Sequence, residues 1–309
     1  MSLISVIIPC YNEEASLPLF YSRITNVMKT MGAIFELVFI NDGSSDGTQR
    51  VIEYLSEKDS RVKYISFSRN FGKEAALWAG LEHAMGDYVA LIDADLQDPP
   101  ELLKQMYKAV TKEGFDCAAA RRVSRIGEPA IRSFFARQFY RLINRISKTQ
   151  IVDGAREFRL MTRQVADAIL QLKEINRFSK GIFSWVGFCT KWIEYENVLR
   201  SAGETKWSFW KLFIYSLDGI AAFSTAPLAL ASVMGLFFCF VALIMIVMII
   251  AKTLLWGDIV AGYASTICLI LFIGGLELFC VGILGLYLSK TYLETKQRPV
   301  YIVKKAKLD

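Results

Sequence analysis

The chain has 309 residues, 53% of them hydrophobic and 21% charged, with a net charge of +6. That is long and apolar enough for one ordinary α/β domain plus something extra, and it excludes a disordered or highly charged tail protein. The six cysteines, Cys10, Cys117, Cys189, Cys239, Cys268 and Cys280, show no close pairing, which argues against a disulfide framework and for small apolar filler.

The chain opens with "MSLISVIIPCYNEE", whose apolar run is short and lacks a basic flank. It is therefore expected to be a strand, not an export signal, and the first domain is expected to stay in the cytoplasm. Short apolar segments recur at residues 4–9, 36–41, 61–68, 87–93 and 116–120. Their lack of alternation predicts strands covered on both faces. Amphipathic runs at 14–31, 46–58, 73–84 and 100–112 lie between them. This alternation predicts a mostly parallel sheet with helices on both sides, whose ligands sit beyond the carboxyl ends of the strands.

Each of those ends carries polar chemistry: "PCYNEE", "NDGSSDGT", "SRNFGK" and "DADLQD" in turn. No glycine-rich dinucleotide or P-loop signature follows any strand. Asp42-Gly43 reads as a turn, with Ser45 or Asp46 placed to cap the next helix. Gly43, Ser44, Ser45 and Gly47 then need no further role, whereas Asp42 at a strand tip could accept a hydrogen bond from a base N–H. Asp93 and Asp95 are the sharper signal. Taken as i and i+2 of an extended segment they would share one side and repel, so a positive group is expected between them. Mg²⁺ or Mn²⁺ fits, because hard cations bind one or two carboxylates together with substrate phosphates. The single histidine, His83, lies in a helical segment and is read as structural. Asp98, before Pro99 and Pro100, reads as a helix cap.

Between positions 121 and 163 there are eleven Lys and Arg against three acids. "IRSFFARQFYRLINRI" spaces Arg132, Arg137, Arg141 and Arg145 around Phe134, Phe135, Phe139 and Tyr140, and "KWSFWKLFIYSL" mixes Lys206 and Lys211 with Trp207, Phe209, Trp210 and Phe213. Both read as amphipathic helices lying in a membrane interface, with packing on the soluble core as the competing account. Residues 227–250 then contain no charge and residues 259–289 only Glu277. Both runs are long enough to span a bilayer. Basic residues gather before the first run (Arg200, Lys206, Lys211) and after the second (Lys290, Lys296, Arg298, Lys304, Lys305, Lys307), while the connection holds only Lys252. Both termini are therefore expected in the cytoplasm. In that setting the basic excess suits an anionic lipid surface or a phosphate substrate, not nucleic acid. Gly235, Gly274, Gly275, Gly282 and Gly285 leave room for close helix packing between protomers, a homo-oligomer being one outcome.

Taken together, "SVIIPCYNEE", "FINDGSSDGT", "RNFGKEAAL" and "LIDADLQDPPE" resemble the family-2 glycosyltransferases in order and spacing, and the two apolar runs make the chain similar to the polyprenyl-phosphate members. The resemblance implies a Rossmann-like GT-A catalytic domain at 1–205, with an interfacial helix near 130–147. A juxtamembrane helix at 206–225, a two-helix transmembrane hairpin at 226–289 and a basic tail at 290–309 would follow. It implies that Pro9, Tyr11, Glu13 and Asp42 hold the nucleoside with help from Lys73. Asp93 and Asp95 would hold metal and diphosphate, and Gln97 would lie beside the sugar. In "VDGAREFRLM" it puts Glu157 where the group has Asp before Phe-Arg, leaving Asp153 as the other candidate acid. Arg122, Arg159 and Arg200 are candidates for the lipid phosphate or the diphosphate, since a guanidinium fork matches phosphate oxygens.

The implied reaction is inverting transfer of a hexose, glucose before N-acetylglucosamine or mannose, from a nucleotide sugar such as UDP-glucose to a polyprenyl phosphate such as undecaprenyl phosphate, with Asp95 and Glu157 central. "QFYRL" at Gln138 lacks the Trp of processive synthases. A non-catalytic membrane scaffold or lipid-binding protein is the rival of another class.

Overall fold

The computed structural model describes residues 2–123, 138, 140–147, 149–196, 220, 223–256 and 263–308. Five strands alternate with four helices at the start: β1 (Leu3–Cys10), α1 (Leu17–Met31), β2 (Ile34–Asn41), α2 (Thr48–Lys58), β3 (Val62–Phe67), α3 (Lys73–His83), β4 (Tyr88–Leu91), a 3₁₀ turn at Pro100–Leu102, α4 (Leu103–Lys112) and β5 (Cys117–Arg122). Then come β6 (Ala155–Thr162), α5 (Arg163–Leu170), α6 (Ser179–Trp185), β7 (Thr190–Tyr195), two long helices α7 (Ala226–Trp256) and α8 (Tyr263–Thr295), and β8 (Val303–Lys307).

All eight strands form one sheet in the order β7-β5-β6-β4-β1-β2-β3-β8. The centre, β4-β1-β2-β3, is parallel, while β6 runs antiparallel between β4 and β5, and β8 runs antiparallel outside β3. Alternation along each strand divides two cores. Ile4, Val6 and Ile8 of β1 with Leu37 and Phe39 of β2 meet α1, α2 and α4, while Ile7, Val38 and Ile40 face α3, α5 and α6. Helix α3 lies close on β1 because Gly80 leaves room; a Cβ there would come within 2.1 Å of Ile7.

The expected strand at 87–93 stops at Leu91, and a turn begins at Ala94. Asp93 and Asp95 therefore stand on a loop rather than on one extended edge, so the expected face-to-face pairing of the two acids does not hold. The expected basic tail is also different: α8 continues to Thr295, and residues 303–307 join the sheet against β3. Tyr301 stacks on Phe67 with ring centroids 4.8 Å apart, its hydroxyl donates to Glu82 at 2.7 Å, and Lys305 pairs with Glu53 at 2.6 Å.

Helices α7 and α8 form an antiparallel pair. Phe238 meets Phe272 with centroids 5.4 Å apart, and the Tyr287 hydroxyl donates to the Ser224 carbonyl at 2.5 Å. Among the described residues one stretch, Phe272–Thr295, is long and apolar enough to cross a membrane by length and composition, with a mean hydropathy of 1.8; Ala226–Phe238 is apolar but shorter. The base of α8 is fastened to the α/β domain by Glu294, whose carboxylate accepts from the Ile175 and Asn176 amides at 2.9 and 3.0 Å. Of the proposed interfacial helix, residues 140–146 are helical. Arg132, Phe134, Phe135, Arg137 and Phe139, Arg200, and the stretch from Lys206 to Phe213 lie outside the described residues. Cys10 and Cys117 are buried, and these two with Cys189 and Cys280 are free thiols.

Candidate active site

The carboxyl ends of β1, β2 and β4 converge on one edge of the sheet, and the loops there are tied to each other. The Asn12 amide donates to Ser44 Oγ at 3.0 Å, and Asn12 Oδ1 accepts from the Ser45 amide at 2.8 Å. Glu13 is held from two sides: its amide donates to Thr48 Oγ1 at 2.8 Å and its carboxylate accepts from Ser16 Oγ at 2.7 Å. Tyr11 stands 39% exposed beyond half-buried Pro9, open to a ring that could stack on it. Asp46 accepts from the Thr48 amide at 3.0 Å and braces the turn before α2, but the N-cap itself is Gly47 without a side-chain cap, so the cap expected of Ser45 or Asp46 is not formed.

Asp42 is buried, and its carboxylate accepts from the amides of Phe71 at 2.6 Å and Gly72 at 3.0 Å. Burial pushes its pKa up despite those bonds. Gly43 makes this approach possible: at φ +63° its α-carbon lies so near the Arg69–Asn70 peptide that a Cβ would come within 2.3 Å. The loop after β3 is thereby pulled over β2, and it delivers Lys73, the first residue of α3.

Lys73 answers the question the two acids raise. Its Nζ lies 2.8 Å from Asp93 and also pairs with Glu157. The register explains why. β4 and β6 are antiparallel with Leu91 opposite Arg159, so continuing two residues past the end of β4 sets Asp93 opposite Glu157. Burial opposes charge on both partners. Asp93 and then Glu157 nevertheless hold the Lys73 ammonium well above the ordinary lysine range. Lys73, Lys180 and Arg156 in turn hold the Glu157 carboxyl down to about 2. Glu157 is thus an ionised carboxylate at neutral pH and has no proton to give.

Asp95 Oδ1 accepts from the Gln97 amide at 3.1 Å. Between them Leu96 is 5% exposed and sits at φ +58°, a left-handed conformation that disfavours a leucine. The loop is held there by its flanks: Asp98, expected to cap a helix, is instead buried, accepting from Arg156 Nε at 3.1 Å and from the Tyr195 hydroxyl. Arg156 also reaches Gln97 at 3.4 Å. Two carboxylates on this loop, with no group of three or more His, Cys, Asp or Glu among the described residues, fit a hard divalent cation as a site completed by diphosphate oxygens.

Arg159, two residues along β6 from Glu157, is buried with its guanidinium 3.5 Å from the Phe183 ring centre and its Nη2 donating to the Arg156 carbonyl at 3.1 Å. With Lys180 it lines a cavity of about 250 Å³. Asp153 lies in the turn before β6, where its carbonyl accepts from Arg121 Nε at 3.2 Å, and the Arg122 amide donates to the Gly154 carbonyl at 2.9 Å. His83 ends α3 beside the Ala79 carbonyl at 3.2 Å. Arg156, Lys180 and Glu74, which accepts from the Ser179 amide at 3.1 Å, complete the charged surroundings. None was singled out from the sequence. Arg156 was adjacent to Glu157 in "AREFR", the one signal available for it.

A family model described as glycosyl transferase family 2 matches residues 5–170, from β1 to the end of α5. The protein CsbB of Bacillus subtilis (strain 168) is 45% identical over 306 residues, 99% of this chain and 92% of that protein. The prophage bactoprenol glucosyl transferase homolog of Escherichia coli (strain K12) is 42% identical over 304 residues, 98% of this chain and 99% of that protein. The bactoprenol glucosyl transferase of Shigella phage SfII is 42% identical over 98% of both chains. Among solved structures, the glucosyl-3-phosphoglycerate synthase of Mycobacterium tuberculosis overlaps 71% of this chain and 76% of its own with a TM-score of 0.48 at 19% identity.

Proposed function

The chain belongs to glycosyl transferase family 2 and is a glycosyltransferase, and from that premise we propose that it moves a hexose, glucose in the first instance, from UDP-glucose to a polyprenyl phosphate at the cytoplasmic face of the cell membrane. The observation that carries this reading is the ion-paired cluster at the strand ends, Asp93–Lys73–Glu157, beside the Asp95 loop, with Arg159, two residues along β6 from Glu157, and Lys180 lining a cavity. Near-full-length similarity to bactoprenol glucosyl transferases supports the lipid acceptor, and the apolar stretch of α8 supports the membrane setting. Since β8 returns to the sheet after α8, the chain between residues 225 and 296 starts and ends on one side. Two crossings, by α7 and α8, would return the chain to that side.

Asp93 and Asp95 would hold Mg²⁺ or Mn²⁺, which would neutralise the charge growing on the departing diphosphate. Pro9, Tyr11, Glu13 and Asp42 line the edge where the nucleoside would lie, with Gln97 toward the sugar. An oxygen of the acceptor phosphate forms the new bond to the anomeric carbon as the bond from that carbon to the diphosphate breaks, inverting the configuration. The acceptor is already ionised near neutral pH, so no proton has to be abstracted. Glu157, itself ionised, orients Lys73 and the acceptor instead. Lys73 would turn from Asp93 to the diphosphate when nucleotide arrives. Arg159 and Lys180, with Arg122 and Arg200, would receive the acceptor phosphate.

The test is transfer of labelled glucose from UDP-glucose to undecaprenyl phosphate by the purified chain with Mg²⁺ or Mn²⁺. Lipid-soluble label that requires the cation and disappears in Asp95→Asn and Glu157→Gln is the expected result. Failure with UDP-glucose, UDP-N-acetylglucosamine and GDP-mannose alike would defeat the reading in favour of a binding role.

A further inference from the structure

A second cavity, of about 820 Å³, opens where α8 ends against the catalytic domain. Trp78 and Glu82 of α3 form one wall; Lys173, Ile175 and Arg177 a second; Glu294, Arg298 and Tyr301 the third. It is separate from the reacting cluster. Glu82 lies nine residues along α3 from Lys73, about 13 Å at the helical rise, toward the opposite end of the strands.

The charges lining it are unequal in availability. Glu294 already accepts from the Ile175 and Asn176 amides and from Asn176 Nδ2 at 3.1 Å, and Glu82 from the Tyr301 hydroxyl. Arg177 lies over the Trp78 ring at 4.1 Å with its Nη1 bonded to the Leu172 carbonyl. Among the described residues Lys173 and Arg298 form no hydrogen bond or ion pair, so with Arg177 the cavity presents three cations against two carboxylates, Glu82 and Glu294, whose oxygens are held by neutral donors. Pro299 and Val300 supply an apolar wall beside them. The position matters as much as the charge: the cavity sits at the end of the Phe272–Thr295 apolar stretch, the depth of phosphate headgroups if α8 crosses a bilayer.

We propose that this cavity is a phosphate-anion site, occupied by the headgroup of an anionic membrane lipid with its glycerol against Pro299 and Val300. Basic pockets between membrane helices on the cytoplasmic side take such headgroups for the same reason. The inference rests on α8 lying in the membrane and is independent of the transfer reaction.

The experiment is thermal unfolding of the full chain in detergent with phosphatidylglycerol, phosphatidylcholine or inorganic phosphate, for the wild type, Arg298→Gln and Lys173→Gln/Arg298→Gln. Both side chains are without partners, so the variants should unfold near the wild-type temperature when no anion is added. Phosphatidylglycerol is expected to raise the wild-type midpoint by about 5 °C, a linkage effect of ordinary size, with a smaller rise in the single variant and none in the double. A rise with phosphatidylglycerol but not phosphate identifies the lipid as the source; an equal rise with phosphate identifies a soluble anion at the same site. No rise with either, an equal rise with phosphatidylcholine, or an undiminished rise in the double variant would overturn the proposal.

Discussion

The two antiparallel strands on either side of the parallel centre, β6 and β8, do different work. β6 lies beside β4 and carries buried or half-buried ionisable groups: Glu157 opposite Asp93, Arg156 against Asp98 and Arg159 over Phe183. β8 lies beside β3, is exposed along its length, and carries Lys304, Lys305 and Lys307. A parallel strand brings only its own carboxyl-end loop to the ligand edge. An antiparallel neighbour runs back past that edge and can set a side chain opposite it. β6 uses this for chemistry, whereas β8 closes an edge and returns the chain from α8. Changes on β6 should therefore cost rate, and changes at β8 stability.

The largest test of that division is at the strand ends. Asp95→Asn and Glu157→Gln should each lower transfer by about 10²–10³-fold, the scale of removing one preorganised electrostatic group, with the Asp95→Asn midpoint within a few degrees of wild type. A Glu157→Gln chain that keeps its rate and loses stability would break the comparison. Lys73→Met sharpens it: kcat/KM should fall by about 10²-fold, whereas Mn²⁺ binding without nucleotide, followed by calorimetry, should tighten because Asp93 and Glu157 lose their ammonium partner. Weaker Mn²⁺ binding would remove Lys73 as the internal counter-ion.

At β8 the readout changes. Ending the chain after Gln297 uncovers Phe67 and removes Tyr301, Val300 and Leu308 from the core they pack on. About 3 kcal/mol should be lost, or about 6–12 °C in midpoint, measured by thermal unfolding. Acid should act at β6 and at the turn between α2 and β3, where Asp59 lies. Glu157 is lowered from 4.5 to about 2, and Asp59, through its hydrogen bonds from Arg61, from 3.8 to about 2. Each contributes stability that is complete above its unfolded value and is lost as pH falls toward 2. The midpoint should therefore drop between pH 4.5 and 2, and less steeply in Glu157→Gln. Tyr301→Phe, which removes only the hydroxyl donated to Glu82, should cost about 1 kcal/mol.

The parallel centre was legible in the sequence because strands buried on both faces are apolar runs and their helices are amphipathic: residues 4–9 and 36–41 lie inside β1 and β2. β6 and β8 were not. "AREFRLMT" mixes charges with apolar residues because its partners are ion pairs, and "VKKAK" is a lysine-rich edge that reads as a solvated tail. Asp98 shows the same limit: Pro99 and Pro100 suggest a cap, but its partners, Arg156 and Tyr195, lie 58 and 97 positions away. Asp93 and Asp95 could be singled out by spacing. That the positive group beside Asp93 is Lys73 depends on the Gly43 approach and on the antiparallel register, neither of which is marked locally.

The pairing of β8 with β3 also sets a timetable. Ile65 lies opposite Ala306, so the open edge of β3 has to wait for about 240 further residues, roughly 10–50 s of synthesis at ~5–20 residues per second. During that interval an unpaired strand edge is available to other chains, while α7 and α8 are being delivered to their own destination. The sheet can be completed only once β8 has followed α7 and α8 out of the ribosome. The lysines of β8 reach the edge at the end of that wait, so a chain truncated or stalled just short of them would present β3 to its neighbours permanently.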